Sequence, residues 1–182
     1  MTTLALIALL QAPAAPSPSP SSAAAPKPKI VIENASAPGL TVSYLTAPWG
    51  PVTFAAMERA QEGFYNQRTW PFARLESTKA VTVDGTIVPP GNYALVFHPN
   101  TPDNAGMGLE IRRIAPGEFL QTGNVMTATP EGETVWRGRI RFDAVDTTEP
   151  ALRVALEPAE KATKLVVRYG DRRLERLFSD RP

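Results

Sequence analysis

Residues 81–98 read VTVDGTIVPPGNYALVFH, and the fold turns on how they divide. Asp84-Gly85 stands between Val83 and Thr86, where a two-residue type I′ turn needs positive φ at both central positions, a demand that Asp-Gly meets at little steric cost. Pro89-Pro90-Gly91 then stops the short run before it, because proline has no N–H for a ladder and glycine turns freely. Beyond it Tyr93, Leu95 and Phe97 face one way, and Ala94, Val96 and His98 the other. A phosphate-cradling loop would need a helix start behind its glycine to present amides, and no helical spacing follows. The stretch is therefore a meander of short strands.

The same alternation extends outward in both directions. KIVIEN and LTVSYLT lie upstream with Ala37-Pro38-Gly39 between them. VTFAAMERAQEGF breaks the pattern, with Phe54, Met57 and Phe64 at near-helical spacing, Pro51 before it and Gly63 as a stop. It predicts one short helix. FARLES, KAVTV, TIV, NYALVFH, GLEIRRI, ETVWRGRIRFDAV, ALRVALE, KLVVRYG and RRLERLF follow, most only a few residues apart. That leaves no room for crossover helices, so the expectation is an all-β antiparallel β-sandwich, jelly-roll or Ig-like, with one short helix.

The chain has 182 residues, 43% hydrophobic and 20% charged, which is a globular composition. A domain of about 150 residues buries close to 70% of its unfolded surface and needs no metal or disulfide. There is no cysteine, which removes disulfides, thiolate ligands and a cysteine nucleophile together. Net charge is +1. A nucleic-acid binder would concentrate a basic excess on one face, so no polyanionic partner is called for.

At the N-terminus MTTLALIALL holds an apolar run from Leu4 to Leu10, far below the roughly 20 residues that cross a bilayer but fitting the core of a signal peptide. Ala12-Pro13-Ala14 offers small residues for cleavage, although no Lys or Arg precedes the run. The division is then residues 1–14 as signal peptide, 15–29 as a disordered Pro/Ala/Ser-rich tether and 30–182 as the sandwich domain. The competing reading of the tail is a disordered cytoplasmic segment. Without a cysteine, lipoprotein-type attachment is not expected. A periplasmic or secreted bacterial protein is expected.

Gly85-Thr86-Ile87-Val88-Pro89-Pro90-Gly91-Asn92-Tyr93, together with ALRVALEP at 151–158 and the closing KATKLVVRYGDRRLERLF, resembles domain-of-unknown-function family 2911 of secreted bacterial proteins. The likeness covers about a third of the chain and implies an all-β exported domain. It brings no catalytic residues to carry over. The chain departs from that family before the meander, where NQRTWPFARLES stands in place of a W-R-T-G-A-N-E-A stretch.

Candidate chemistry is sparse. His98 is the only histidine. It is the natural titrating group near neutral pH, though a strand-end histidine beside Pro99 is the plainer reading. A Ser-His-Asp triad would have to use it, and no G-x-S-x-G elbow exists. TPDNAG, with Asp103, lacks the full calcium-loop pattern, so no metal and no cofactor is expected. In TVWRGRIRFDA, Arg137, Arg139 and Arg141 share one face about 7 Å apart, with Trp136, Ile140 and Phe142 opposite. Three guanidiniums could clamp a carboxylate or phosphate, or form a solvated face offset by Glu157 and Glu175. FYNQRTWPF, with Trp49 upstream, is dense in aromatics, which stack on ligands or, more commonly, fill a core. Glu131 and Glu133 sit in a turn-like TPEGET and do not suggest glycosidic chemistry.

The function expected is non-catalytic, a binding or structural role with a small ligand, glycan or envelope protein as partner. The ligand-binding candidates are Trp70, His98, Arg137, Arg139 and Arg141. One alternative is a small hydrolase or isomerase with a cleft lined by Trp70, His98 and the arginine strand. Another is a module that adds a partner strand at a sheet edge.

Overall fold

A computed structural model describes residues 29–58, 69–98, 107–116 and 131–180. The expected signal peptide and most of the tether, Phe64 and Asp103 lie outside them. The chain order is β1 (Ile32–Ala37), β2 (Leu40–Leu45), α1 (Pro51–Glu58), β3 (Trp70–Ser77), β4 (Val81–Val83), β5 (Thr86–Val88), β6 (Gly91–His98), β7 (Gly108–Arg113), β8 (Thr134–Arg139), β9 (Asp143–Ala159) and β10 (Ala162–Asp180). Two antiparallel sheets result, one ordered β1-β2-β3-β6-β7-β8 and the other β5-β4-β10-β9. The sandwich expected from the alternation is the fold.

Turn chemistry sets the registers. Asp84 and Gly85 take φ of 46° and 81°, and Val83 pairs with Thr86 across them, as a type I′ turn requires. Pro38-Gly39 closes β1 on β2, with Ala37 opposite Leu40 and Gly39 at φ 79°. Proline's fixed φ followed by a positive-φ glycine makes this a type II turn. The chain changes sheets between β3 and β4, and again between β5 and β6. The two halves of the opening stretch therefore belong to different layers.

The core lies between the sheets. Tyr93, Leu95 and Phe97 of β6 are buried, paired with Leu75, Ala73 and Trp70 on β3 and with Arg113, Ile111 and Leu109 on β7. The register of β3 slips between Pro71 and Ala73. One extra residue shifts the side-chain phase, so Trp70, Phe72, Ala73 and Leu75 all join the core. Phe72 and Phe97 stack with centroids 4.0 Å apart. Trp70 contacts Phe97 and, from the second sheet, Tyr169, at 5.7 and 5.4 Å. Phe54 of α1 packs edge-on against Phe142 at 5.1 Å. Burying each such ring contributes a few kcal/mol, about 1.5 to 3 apiece before packing terms.

Two expectations need adjusting. KLVVRYG and RRLERLF are one continuous strand, β10, interrupted by register shifts around Gly170 at φ 62°. A Cβ there would stand 2.1 Å from the Trp49 ring, so a bulge glycine lets the indole lie on the backbone. Conversely, ETVWRGRIRFDAV is split, β8 ending at Arg139 and β9 starting at Asp143 in the other sheet.

The layers are tied at both margins. Tyr44 donates to Glu33 at 2.8 Å and Arg153 of β9 reaches the same carboxylate at 2.6 Å. At the opposite margin Arg176 of β10 grips both Asp84 oxygens at 3.1 and 3.0 Å and the Arg139 carbonyl at 2.8 Å. Its guanidinium also lies 5.5 Å from the Trp136 ring centroid.

Candidate functional site

The outward face of the six-stranded sheet is where charge collects. Register places His98 opposite Gly108, and Val96 opposite Glu110. On the far side Gly108 faces Arg139 and Glu110 faces Arg137. Because side chains alternate, these residues all turn away from the aromatic core. Thr134 joins them through a slip in the β7–β8 register, which moves from Ile111↔Trp136 to Arg112↔Thr134. The extra residue on β8 turns the Thr134 hydroxyl to the outer face.

Glu110 is the centre of the group and is 0% exposed. Arg137 donates to Oε1 at 2.9 Å, and Arg112 to both oxygens at 3.1 Å. The Thr134 hydroxyl donates to Oε1, and the His98 ring nitrogen Nε2 bonds Oε2. Burial alone pushes the carboxyl up. The hydrogen bonds from Thr134, Arg137, His98 and Arg112 overcome it and hold the pKa down to about 2. Glu110 is thus an anion at any physiological pH.

An ionised acceptor fixes the tautomer of its partner. Nε2 of His98 carries the hydrogen that Glu110 accepts, which leaves Nδ1 of the neutral ring as an acceptor. The two cations differ in access. Of the Arg137 side chain 63% reaches solvent, against 21% for Arg112, the same as for His98. Chemically the arrangement is an oriented imidazole beside an exposed guanidinium, both held by one buried charge.

Of the residues singled out from sequence, His98 and Arg137 meet at Glu110 and Arg139 stands next to them across Gly108. Arg141 is exposed beyond the end of β8, so the arginine ladder stops at its second member. Trp70 is on the opposite face, buried in the core with its indole N–H unpartnered, so no shared cleft of Trp70, His98 and the arginine strand forms. Glu157 and Glu175 are not the counterions either. They belong to the other sheet, where Lys164 lies 3.5 and 3.2 Å from them. The partner of Arg137 is Glu110, a residue the sequence reading passed over together with Arg112 and Thr134. Glu131 and Glu133 are exposed.

Fold and site together define a two-sheet antiparallel sandwich with a buried-carboxylate cluster on its outer face. Comparison of the chain with protein-family models, with curated proteins and with solved structures finds no match in any of the three. Among the described residues no helix is long and apolar enough to cross a membrane.

Proposed function

We propose that this chain is an exported, non-catalytic domain of the bacterial envelope that works by binding, with the outer face of β6, β7 and β8 as its binding surface. The observation that carries the reading is the fully buried Glu110 and its side-chain donors on the face turned away from the core. Three paired strands need no ionised carboxylate to hold them, since burying a charge is expensive and apolar residues of similar volume hold as well or better. What the carboxylate adds is orientation. It points His98 and Arg137, two groups in contact with solvent, at one patch of surface. Export rests on the apolar run Leu4–Leu10, the tether after it and the resemblance of the meander and closing strands to family 2911.

The test is nuclear magnetic resonance mapping with a panel of probes: inorganic phosphate, acetate, a neutral hexose and a proline-rich peptide. Binding at this face moves the His98 ring and the amides of residues 108–112 and 134–139 saturably. Perturbations confined to other surfaces, or none with any probe, would defeat the reading. N-terminal sequencing of the protein from a bacterial host addresses export, where a retained Met1 would defeat it.

One observation favours a second reading, a small hydrolase or isomerase. A histidine oriented by a carboxylate is the arrangement a general base uses, and His98 with Glu110 supplies it. A His98→Ala variant that abolishes turnover of a generic ester or phosphomonoester would move the assignment there.

A further inference from the structure

Four strands end the two sheets, β1 and β8 on the larger, β5 and β9 on the smaller. An end strand carries a row of unpaired amides and carbonyls, which proteins shield by brevity, proline, charge or a bulge. β5 is three residues long and runs straight into Pro89-Pro90. β9 carries Pro150 and Pro158, and the Ala47–Trp49 segment holds its outer side. There the Trp49 N–H donates to the Pro150 carbonyl and the Leu152 N–H to that of Ala47, both at 2.8 Å. β8 has a bulge in its pairing with β7, two exposed arginines, and an Arg139 carbonyl taken by Arg176. All three are shielded.

β1 has none of these devices. Its six residues, IENASA, pair with β2 in unbroken register from Ile32↔Leu45 to Ala37↔Leu40. It holds no proline and one charge, Glu33, already matched by Tyr44 and by Arg153 of β9. The Thr46 amide donates to the Val31 carbonyl at 2.9 Å. Backbone direction alternates along a strand, so Glu33, Ala35 and Ala37 also turn their groups to β2. Ile32, Asn34 and Ser36 turn theirs the other way, where no described strand pairs with them. All three are exposed.

We infer that the free edge of β1 is a self-association surface, where a second copy of this chain docks its own β1 antiparallel about a two-fold axis at Asn34. That register sets Asn34 opposite Asn34 of the second copy and Ile32 opposite Ser36, three pairs with two backbone hydrogen bonds each. The facing side chains are self-complementary. Asn34 Oδ1 accepts from the Ser43 hydroxyl at 2.6 Å, and an amide oxygen with a second lone pair can also take an N–H from the amide opposite. Glu33 falls opposite Ala35, so no like charges meet across the seam. With one open edge per molecule among the described strands, the pairing closes at two copies instead of running on as a filament. One pair of short strands covers less than the roughly 1,200 Å² of a stable interface, so the dimer is weak and the edge is open in dilute solution. The inference does not depend on the binding reading. β1 and β8 are opposite ends of the larger sheet, and both copies keep the outer face of β6, β7 and β8 uncovered.

Sedimentation velocity of the full chain from about 10 μM to about 1 mM is expected to show a monomer passing into a dimer, as a small interface gives. Over that range the amides of Ile32, Asn34 and Ser36 are expected to shift in nuclear magnetic resonance spectra, while those of Thr86–Val88 and Thr134–Arg139 hold still. Asn34→Lys sets two ammonium groups across the axis and is expected to weaken the dimer about tenfold or more. Asn34→Asp keeps an acceptor for Ser43, so it serves if the lysine variant does not fold. It is expected to weaken the dimer at low salt and to recover most of it at about 1 M salt. Thr86→Lys, on the edge of the other sheet, is expected to leave the equilibrium unchanged. A monomer throughout the range, a dimer indifferent to both Asn34 variants, or shifts confined to β5, β8 or β9 overturns the inference. Association beyond two copies overturns the two-fold pairing. Shifts of the same three amides with an added unrelated strand-forming peptide, without self-association, overturn it in favour of a foreign strand.

Discussion

Glu110 concentrates the chemistry of the molecule into one side chain. Its pKa of about 2 lies below the ordinary 4.5. Its contribution to stability is therefore complete above pH 4.5 and disappears as pH falls through about 2. The shift corresponds to an effect on the order of 3 kcal/mol. Replacing it by Gln leaves donors from Arg112, Arg137, Thr134 and His98 around a neutral amide. Urea denaturation at neutral pH is expected to show Glu110→Gln less stable by about 2 to 4 kcal/mol. The same variant loses the steep part of the acid-stability curve. Arg137→Gln, whose side chain is mostly exposed, is expected to lose no more than about 1 kcal/mol. Equal losses in the two variants would contradict the asymmetry drawn here between a buried acceptor and an exposed donor.

At the scale of elements, two glycines with similar backbone angles separate turn strain from packing. Gly85 has φ 81° and no atom within 4 Å of a built Cβ, whereas Gly170 at φ 62° has the Trp49 ring at 2.1 Å. Gly85→Ala is expected to lose about 1 kcal/mol, the backbone term alone. Gly170→Ala adds displacement of an indole packed 4.7 Å from Tyr169 and is expected to lose about 3 kcal/mol or more. Thermal melts of the two variants decide it, and near-equal shifts would mean that Trp49 moves aside freely.

This pair also marks what the sequence could tell. The Asp84-Gly85 turn is legible because its cause is local, two residue types suited to positive φ between two apolar runs. Gly170 was not, because its cause is Trp49, far away in sequence. The site divides in the same way. GLEIRRI and NYALVFH each alternate visibly, and an antiparallel pairing would put Glu110, Arg112 and His98 on one face, so the signal for Glu110 existed once that pairing was assumed. Thr134 had none, since only a bulge in β8 turns it outward. Nor could composition indicate that Arg137 pairs with Glu110 rather than with Glu157 or Glu175, because strand order is a property of the whole sheet.

The whole molecule is a sandwich whose layers are joined by the aromatic cluster and by the Glu33 and Arg176 ties at its margins. Amide exchange is expected to be slowest for Leu95, Ile111 and Val167, central and buried, and fastest along the edge strands β1 and β5. Protection that was uniform, or highest at the edges, would contradict this layering. The binding surface lies on the outside of the larger sheet, over β6 and β7, each paired on both sides, and the edge strand β8. The most direct test of that geometry is the titration of the Glu110 side-chain carboxyl carbon by nuclear magnetic resonance in the folded protein. The account predicts no titration on lowering the pH until about 3, with a midpoint near 2 or loss of the fold before it. A midpoint at 4.5 or above in the native state would mean that the carboxylate is not held by His98, Thr134 and the two arginines, and the site described would not exist.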